Sequence, residues 1–364
     1  GAPGWGARSG VPHPADLNGD RVATEKRVLN VFRSASESGA RSGETTIASI
    51  YVAALASHHP EGVVTNRDLE ASLDTTSEWI ERRTGILQRR RVQPGENAGD
   101  LAIAATRRAL ANAGWLPRDL DLIVCATSSS DMMLPAAATY LGHALGVDAV
   151  AFDVNAACAG FAYGMAAVRS MMTGMGYRKA ALCCSDTYTR FVDDADRRTA
   201  VLFGDGAATV LLQSERPAWG AEVVDVALEN WKDGLGLVSV PVGGTWHMEG
   251  RKVTGPALKL LADCSTRVLE RNHLVVEDLR VFIAHQANYR MLESLVEHLG
   301  VNPSQHWSNV REKGNQGAAG ALAAFAEGVE RHGSDLLDGD PILVTVVGAG
   351  FTSGSVLLRW IRRD

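Results

Sequence analysis

The chain lacks any apolar run approaching the roughly 20 uncharged residues that a membrane-spanning helix requires, which argues against a helical membrane protein. It also lacks an excess of basic residues. Lys and Arg number 36 against 42 Asp and Glu, a formal net charge of -6, and this offers no general attraction to nucleic acid or to anionic lipid. Cysteine is sparse: Cys125, Cys158, Cys183, Cys184 and Cys264 make an odd number without metal-ligand spacing. A disulfide scaffold and a zinc framework are therefore not expected, no metal is predicted, and buried thiols in a reducing, cytoplasmic compartment are the default.

What is present suits a soluble protein with two core-bearing units: 46% of the 364 residues are hydrophobic and 21% charged. Residues 1–45 are rich in Gly, Ser, Arg and Pro, with one brief helical pattern from Glu25 to Phe32, and read as a poorly ordered N-terminal extension. Thr46 to Ala53 reads as a first strand. Residues 46–218 then alternate strands with helices, and residues 219–364 repeat the plan. Asp278 to Ala284 echoes Asp121 to Ala126, Pro341 to Val347 echoes the strand at Lys179, and Phe351 to Leu358 echoes the strand after Gly206. An internally duplicated α/β protein follows, with ligands gathered at strand C-termini where the halves meet.

The stretch from Asp153 to Met165 puts Cys158 between an apolar strand, Ala149 to Phe152, and a helix-forming run, Ala166 to Met172. A thiol at a helix start is expected to have a lowered pKa and a reactive thiolate; the alternative is a small buried hydrophobe. A nucleophile needs partners. His285 directly follows the strand Val281 to Ala284, and Asn315 lies in the turn Lys313-Gly314-Asn315-Gln316-Gly317 that opens an alanine-rich helix. Trp79 and Arg83 stand four residues apart on one helix face. Such a pair holds a flat base, or is an ordinary core Trp with an Arg at its rim.

Taken in order, Trp79-Ile80-Glu81-Arg82-Arg83-Thr84-Gly85-Ile86, Ala156-Ala157-Cys158-Ala159-Gly160-Phe161, Phe203-Gly204-Asp205-Gly206-Ala207, His285-Gln286-Ala287-Asn288 and Gly314-Asn315 resemble the signatures of the β-ketoacyl-acyl-carrier-protein synthase III family of thiolase-fold condensing enzymes. The resemblance runs from about Thr45 to Asp364. It implies a thiolase-like fold, two duplicated βαβαβαββ halves in a five-layered αβαβα arrangement, and a cytoplasmic homodimer. It implies that Cys158 is acylated by acyl-CoA, with the oxyanion held by the N–H groups of Cys158 and Ala349. His285 and Asn315 would hold the thioester carbonyl of malonyl-acyl-carrier protein or malonyl-CoA during decarboxylation. Trp79, Arg83 and Arg197 would bind the CoA adenine, Asn288 and Arg290 would line the pantetheine channel, and acyl-CoA would serve as substrate with no further cofactor.

Departures from the family pattern bear on substrate. Gln316-Gly317 replaces a usual Thr-Ser, Val347 stands where an aromatic is common, and Leu134 stands where a Phe often reaches the partner's acyl pocket. With Leu134 and Val347 as acyl-pocket residues, these smaller or more flexible side chains predict an acyl group longer or bulkier than acetyl. Glu293, Glu297, His298 and Gly255 replace cations expected on a carrier-protein docking face, although Lys259 and Arg290 remain. Two other readings stay open: acyl transfer to an oxygen, nitrogen or other carbon nucleophile, and a non-catalytic subunit. The presence of Cys158, His285 and Asn315 together argues against the second.

Overall fold

The computed structural model describes residues 49–363, apart from the side chain of Arg251. The expected N-terminal extension, residues 1–45, lies outside them, as do residues 46–48 of the expected first strand. The first half contributes strands Tyr51–His58 (β1), Leu122–Ala126 (β2), Val150–Val154 (β3), Lys179–Thr187 (β4) and Asp205–Gln213 (β5), in the spatial order β1-β5-β4-β2-β3. The second contributes Trp219–Asn230 (β6), Val281–Ala284 (β7), Pro341–Gly348 (β8) and Thr352–Arg362 (β9), in the order β7-β8-β9-β6. The main helices are Ser77–Thr84 (α1), Ala98–Ala113 (α2), Ala137–Leu145 (α3), Gly160–Met175 (α4), Gly250–Arg271 (α5), Tyr289–Leu299 (α6) and Ala319–His332 (α7).

The first half follows βαβαβαββ in full. In the second half the third strand is reduced to one parallel bridge, His306 beside Phe282. The reason is local: the equivalent strand of the first half, β3, reads Val150-Ala151-Phe152-Asp153-Val154, apolar except for Asp153, and pairs in parallel with β2 along its whole length. The corresponding stretch, Pro303-Ser304-Gln305-His306-Trp307-Ser308-Asn309, opens on a proline and is mostly polar. It bonds once to the sheet, through the Trp307 N–H to the Phe282 carbonyl at 3.0 Å.

Layering follows from burial. Helices α2 and α3 cover the outer face of the first half-sheet, α5 and then α6 cover the second, and α4 and α7 lie between, touching strands of both halves. Helix α4 turns Phe161, Met165, Val168 and Met172 inward at helical spacing, all essentially buried, each worth roughly 1.5–3 kcal/mol of burial. Helix α7 is buried continuously from Ala319 to Val329, as a helix between two sheets must be. The two halves are not separable modules. Tyr51 and Val52 of β1 pair with Glu222 and Ala221 of β6, closing both half-sheets into one nine-stranded ladder.

Strand alternation decides what faces the middle layer. In β7, Val281 and Ile283 pack with the central helices, whereas Phe282 and Ala284 join the outer cluster of α5 and α6. In β8, Ile342, Val344 and Val346 are central, whereas Leu343 and Val347 are outer. Continuing each series aims His285 and Gly348 at the centre, where α4 begins.

Candidate active site

Cys158 sits in a short 3₁₀ turn, Ala157–Ala159, between β3 and α4. Ala157 holds φ at +47°, a left-handed conformation that costs a non-glycine residue about 1–2 kcal/mol. The Asn155 side chain steadies it by accepting the Ala157 N–H at 3.2 Å. The end of β8 closes on this turn. A Cβ at Gly348 would lie 2.6 Å from the Ala156 oxygen, 2.8 Å from the Ala159 nitrogen and 3.0 Å from the Cys158 nitrogen, so only glycine permits the approach. Ala349 follows directly. The Cys158 thiol donates to the Tyr188 hydroxyl at 3.7 Å. Burial pushes that thiol up to about 12, the nearby Asp186 charge adds to the rise, and the Tyr188 contact opposes it. The sequence reading of a lowered pKa is thus corrected: in the free enzyme desolvation outweighs the helix start.

His285 follows β7 and is only 5% exposed. Burial draws its pKa down to about 4, so the ring is neutral at pH 7, and its Nδ1 is buried without a protein partner. The adjoining Gln286 gathers through Oε1 the Asn309 N–H at 3.0 Å, the Val310 N–H at 3.2 Å and the Ser308 hydroxyl at 3.0 Å. It thereby pins the segment leading to Asn315.

Asn315 is clamped by its backbone, donating to the Leu202 carbonyl at 2.8 Å and accepting from the Gly204 N–H at 3.0 Å. Its Oδ1 accepts the Gly317 N–H at 3.1 Å, which turns the carboxamide nitrogen the other way. Gln316 anchors the turn from behind, its Nε2 donating to the Asp205 carbonyl at 2.7 Å and to His59 Nδ1 at 2.8 Å. Because an amide nitrogen only donates, His59 Nδ1 accepts and Nε2 carries the proton, given to Glu327 at 2.6 Å.

The three turns meet through their neighbours. A Cβ at Gly317 would fall 2.7 Å from the Tyr188 ring, and Tyr188 touches the thiol. The Ala318 N–H donates to Asp186 at 2.8 Å, and a Cβ at Gly320 would stand 3.1 Å from that of Gln286, next to His285. Tyr188 and Asp186 were not singled out in the sequence. Asp186 lies near the end of β4 and Tyr188 directly follows that strand, in Ser185-Asp186-Thr187-Tyr188, at the same strand C-terminal edge that drew attention to His285, so the signal was there.

Farther out, Trp79 of α1 is half-buried and the Arg197 guanidinium lies 5.3 Å from its ring centroid. Arg197 is held by Asp74, through a 3.5 Å ion pair and a bond to its carbonyl. Arg83 is exposed; the guanidinium facing the indole comes from Arg197, because i,i+4 spacing sets side chains alongside one another whereas a second element can cross the ring. Asn288 caps α6, accepting the Met291 N–H at 2.8 Å. Arg290 reaches Glu293 at 2.8 Å and the Glu81 carbonyl at 3.4 Å, tying α6 to α1. Leu134 is 82% exposed beside Met133 at 89%. Val347 lies on the outer face of β8 among Leu261, Phe282 and Leu357, opposite to the face on which Gly348 meets the cysteine turn. The expectation that Val347 lines the acyl pocket is corrected on that ground.

A cysteine at a strand-to-helix turn, with the turns of a histidine and an asparagine from the duplicate half brought near it through Tyr188, Gly317 and Gly348, fits the class of thiolase-fold condensing enzymes. Residues 152–230 match the family described as 3-oxoacyl-[acyl-carrier-protein (ACP)] synthase III, and residues 269–360 match its C-terminal family. The chain is 34% identical to beta-ketoacyl-[acyl-carrier-protein] synthase III 3 of Streptomyces coelicolor, covering 83% of this chain and 94% of that one. It is 37% identical to the beta-ketoacyl-[acyl-carrier-protein] synthase III of Oleidesulfovibrio alaskensis, covering 85% and 98%. Among solved structures, the 3-oxoacyl-(acyl carrier protein) synthase III of Pseudomonas aeruginosa PAO1 superposes with a TM-score of 0.81 at 37% identity over 87% of this chain and 99% of that one. The priming β-ketosynthase of the R1128 polyketide pathway gives 0.79 at 30% identity over 86% and 97%. The chain belongs to the 3-oxoacyl-[acyl-carrier-protein] synthase III family, and it is an acyl-transferring condensing enzyme.

Proposed function

We propose that Cys158 is the acyl carrier of a decarboxylative condensation. Its sulfur attacks an acyl-CoA thioester; the carbon–sulfur bond to CoA breaks, and the proton lost by the thiol leaves with CoA as its free thiol. The N–H groups of Cys158 and Ala349 would hold the tetrahedral oxyanion, a reading supported by the closure of Gly348 on the cysteine turn. A malonyl thioester, on acyl-carrier protein or CoA, then places its carbonyl between His285 and Asn315. Neutral His285 can donate one N–H there and Asn315 its carboxamide nitrogen, each worth about 3 kcal/mol to a developing enolate. Carbon dioxide leaves, the enolate carbon attacks the acyl-cysteine, and the 3-oxoacyl thioester departs as the sulfur regains a proton.

The observation that carries this reading is the meeting of the Cys158, His285 and Asn315 turns around Tyr188, Gln286 and Gly348. Trp79 with Arg197 offers a platform for the CoA adenine, and Asn288, Arg83 and Arg290 flank the approach to it. No further cofactor is assigned. Met132, Met133 and Leu134 form an exposed apolar run that suits a homodimer contact, with Leu134 toward the partner's acyl site. Among the described residues, no helix is long and apolar enough to cross a membrane, and we assign the enzyme to the cytoplasm.

Intact mass after incubation with acyl-CoA tests the first step: the protein gains the acyl mass and Cys158→Ala does not. Adding malonyl-acyl-carrier protein or malonyl-CoA then releases carbon dioxide and a 3-oxoacyl thioester. His285→Ala and Asn315→Ala keep acylation but lose about 10²–10³-fold in product formation. Acylation with transfer to another nucleophile and no carbon dioxide would replace this reading with the acyltransferase one.

A further inference from the structure

The mechanism leaves one group beside the thiol unused. Tyr188 is 1% exposed, and its hydroxyl stands 3.7 Å from Cys158 Sγ and 2.7 Å from Ser128 Oγ. Ser128 in turn lies 3.5 Å through Oγ and 2.9 Å through its N–H from one oxygen of Asp186. The ring is held on three sides. Phe203 meets it edge-on at 5.7 Å and Trp246 at 4.8 Å, and those two stack on each other at 4.2 Å. The Trp246 indole N–H fixes the Tyr188 backbone carbonyl at 3.1 Å. Gly317 completes the fit, since any Cβ there would strike the ring.

We propose that Tyr188 sets the acyl specificity of the enzyme, admitting to Cys158 a short acyl group that carries a hydrogen-bonding substituent on the carbon next to its carbonyl. The inference rests on the acyl-cysteine reading and deepens it. An acyl group on Sγ has its carbonyl oxygen at the Cys158 N–H, on the side that Gly348 closes. Its chain extends the other way, toward the tyrosine and the aromatic pair behind it, so the ring limits length. The hydroxyl selects polarity. In the free enzyme it accepts the thiol proton and shares a second bond with Ser128; once sulfur is acylated the thiol donor is gone, and an apolar neighbour would leave Ser128 as the buried hydroxyl's one partner. A substituent hydroxyl one carbon from the carbonyl restores the bond. This runs against the longer or bulkier acyl group expected from Gln316-Gly317, Val347 and Leu134: Gly317 is small because Tyr188 occupies the space.

The test is the rate of Cys158 acylation, by intact mass, across acetyl-, 2-methylpropanoyl-, 2-hydroxypropanoyl- and octanoyl-CoA. The second and third are nearly isosteric and differ by methyl against hydroxyl. The wild-type enzyme should take 2-hydroxypropanoyl at least about 10-fold faster than 2-methylpropanoyl, and octanoyl slowest, by about 100-fold or more. Tyr188→Phe, which removes only the oxygen, should abolish the first preference and keep the length limit. Tyr188→Leu should raise the octanoyl rate at least about 10-fold. Equal rates for the isosteric pair, a wild-type enzyme that prefers octanoyl, or a Tyr188→Phe variant that keeps the hydroxyl preference would each overturn the proposal. Acylation by some member of the panel establishes the acyl-cysteine reading separately; acylation by none refutes that reading and this proposal together.

Discussion

Glu327→Gln probes whether the turn that carries Asn315 is held from behind by charge. The substitution keeps shape, so no cavity forms and only hydrogen bonding changes. Glu327 is 8% exposed and on helix α7. Its Oε1 accepts from His59 at 2.6 Å and Asn309 at 3.1 Å, and its Oε2 accepts from Arg331 at 2.8 Å. A glutamine can present its one oxygen to His59 and Asn309 while its nitrogen faces Arg331. Two charge-assisted bonds then become neutral ones, a loss of about 1 kcal/mol each. The Arg331 side chain is 59% exposed and can turn to water, so that pair adds at most about 1 kcal/mol. The expected destabilisation is about 2–3 kcal/mol, read by urea denaturation at pH 7. Because His59 passes the contact to Gln316, next to Asn315, carbon dioxide release should slow more than Cys158 acylation. A stability change under about 0.5 kcal/mol, or equal slowing of both steps, refutes the reasoning.

Two further expectations are independent of that network. Gly317→Ala should cost about 2–5 kcal/mol, combining a left-handed backbone at φ +59° with a Cβ placed 2.3 Å from Asp186 Oδ2 and 2.7 Å from the Tyr188 ring; part should return in the double variant with Tyr188→Leu, and a single variant within about 1 kcal/mol of wild type, below that range, would count against the crowding. His285 has a folded pKa of about 4 against an ordinary value of 6.5, so the unfolded chain binds more protons between those values and stability is lost as pH falls through that window. The loss should reach about 2 kcal/mol by pH 5, measured as the difference in urea stability between wild type and His285→Asn at pH 7 and 5; parallel curves would show that the histidine is not buried neutral.

Much of the site was legible because its pieces are local. Cys158, His285 and Asn315 each follow a strand or open a helix, and hydrophobic period, small residues and glycine turns mark such junctions in one dimension. The duplication was readable for the same reason, since β2 and β7 are short apolar runs behind matching acidic turns. The lost third strand of the second half was missed because its reduction to one bridge at His306 depends on a proline and polar side chains standing where β3 of the first half has an apolar run.

Other properties depended on which elements meet. That Arg197 rather than Arg83 lies over Trp79 comes from Asp74 holding it across the ring. That Val347 faces α5 follows from the register of β8, where a shift of one residue exchanges the two faces. Chain order alone therefore determined where a nucleophile and its partners stand along the polypeptide. Packing decided how they behave: the same thiol that a helix start would make acidic is raised to about 12 once buried beside Tyr188 and Asp186, because desolvation is a property of everything that surrounds a group and not of its neighbours in sequence.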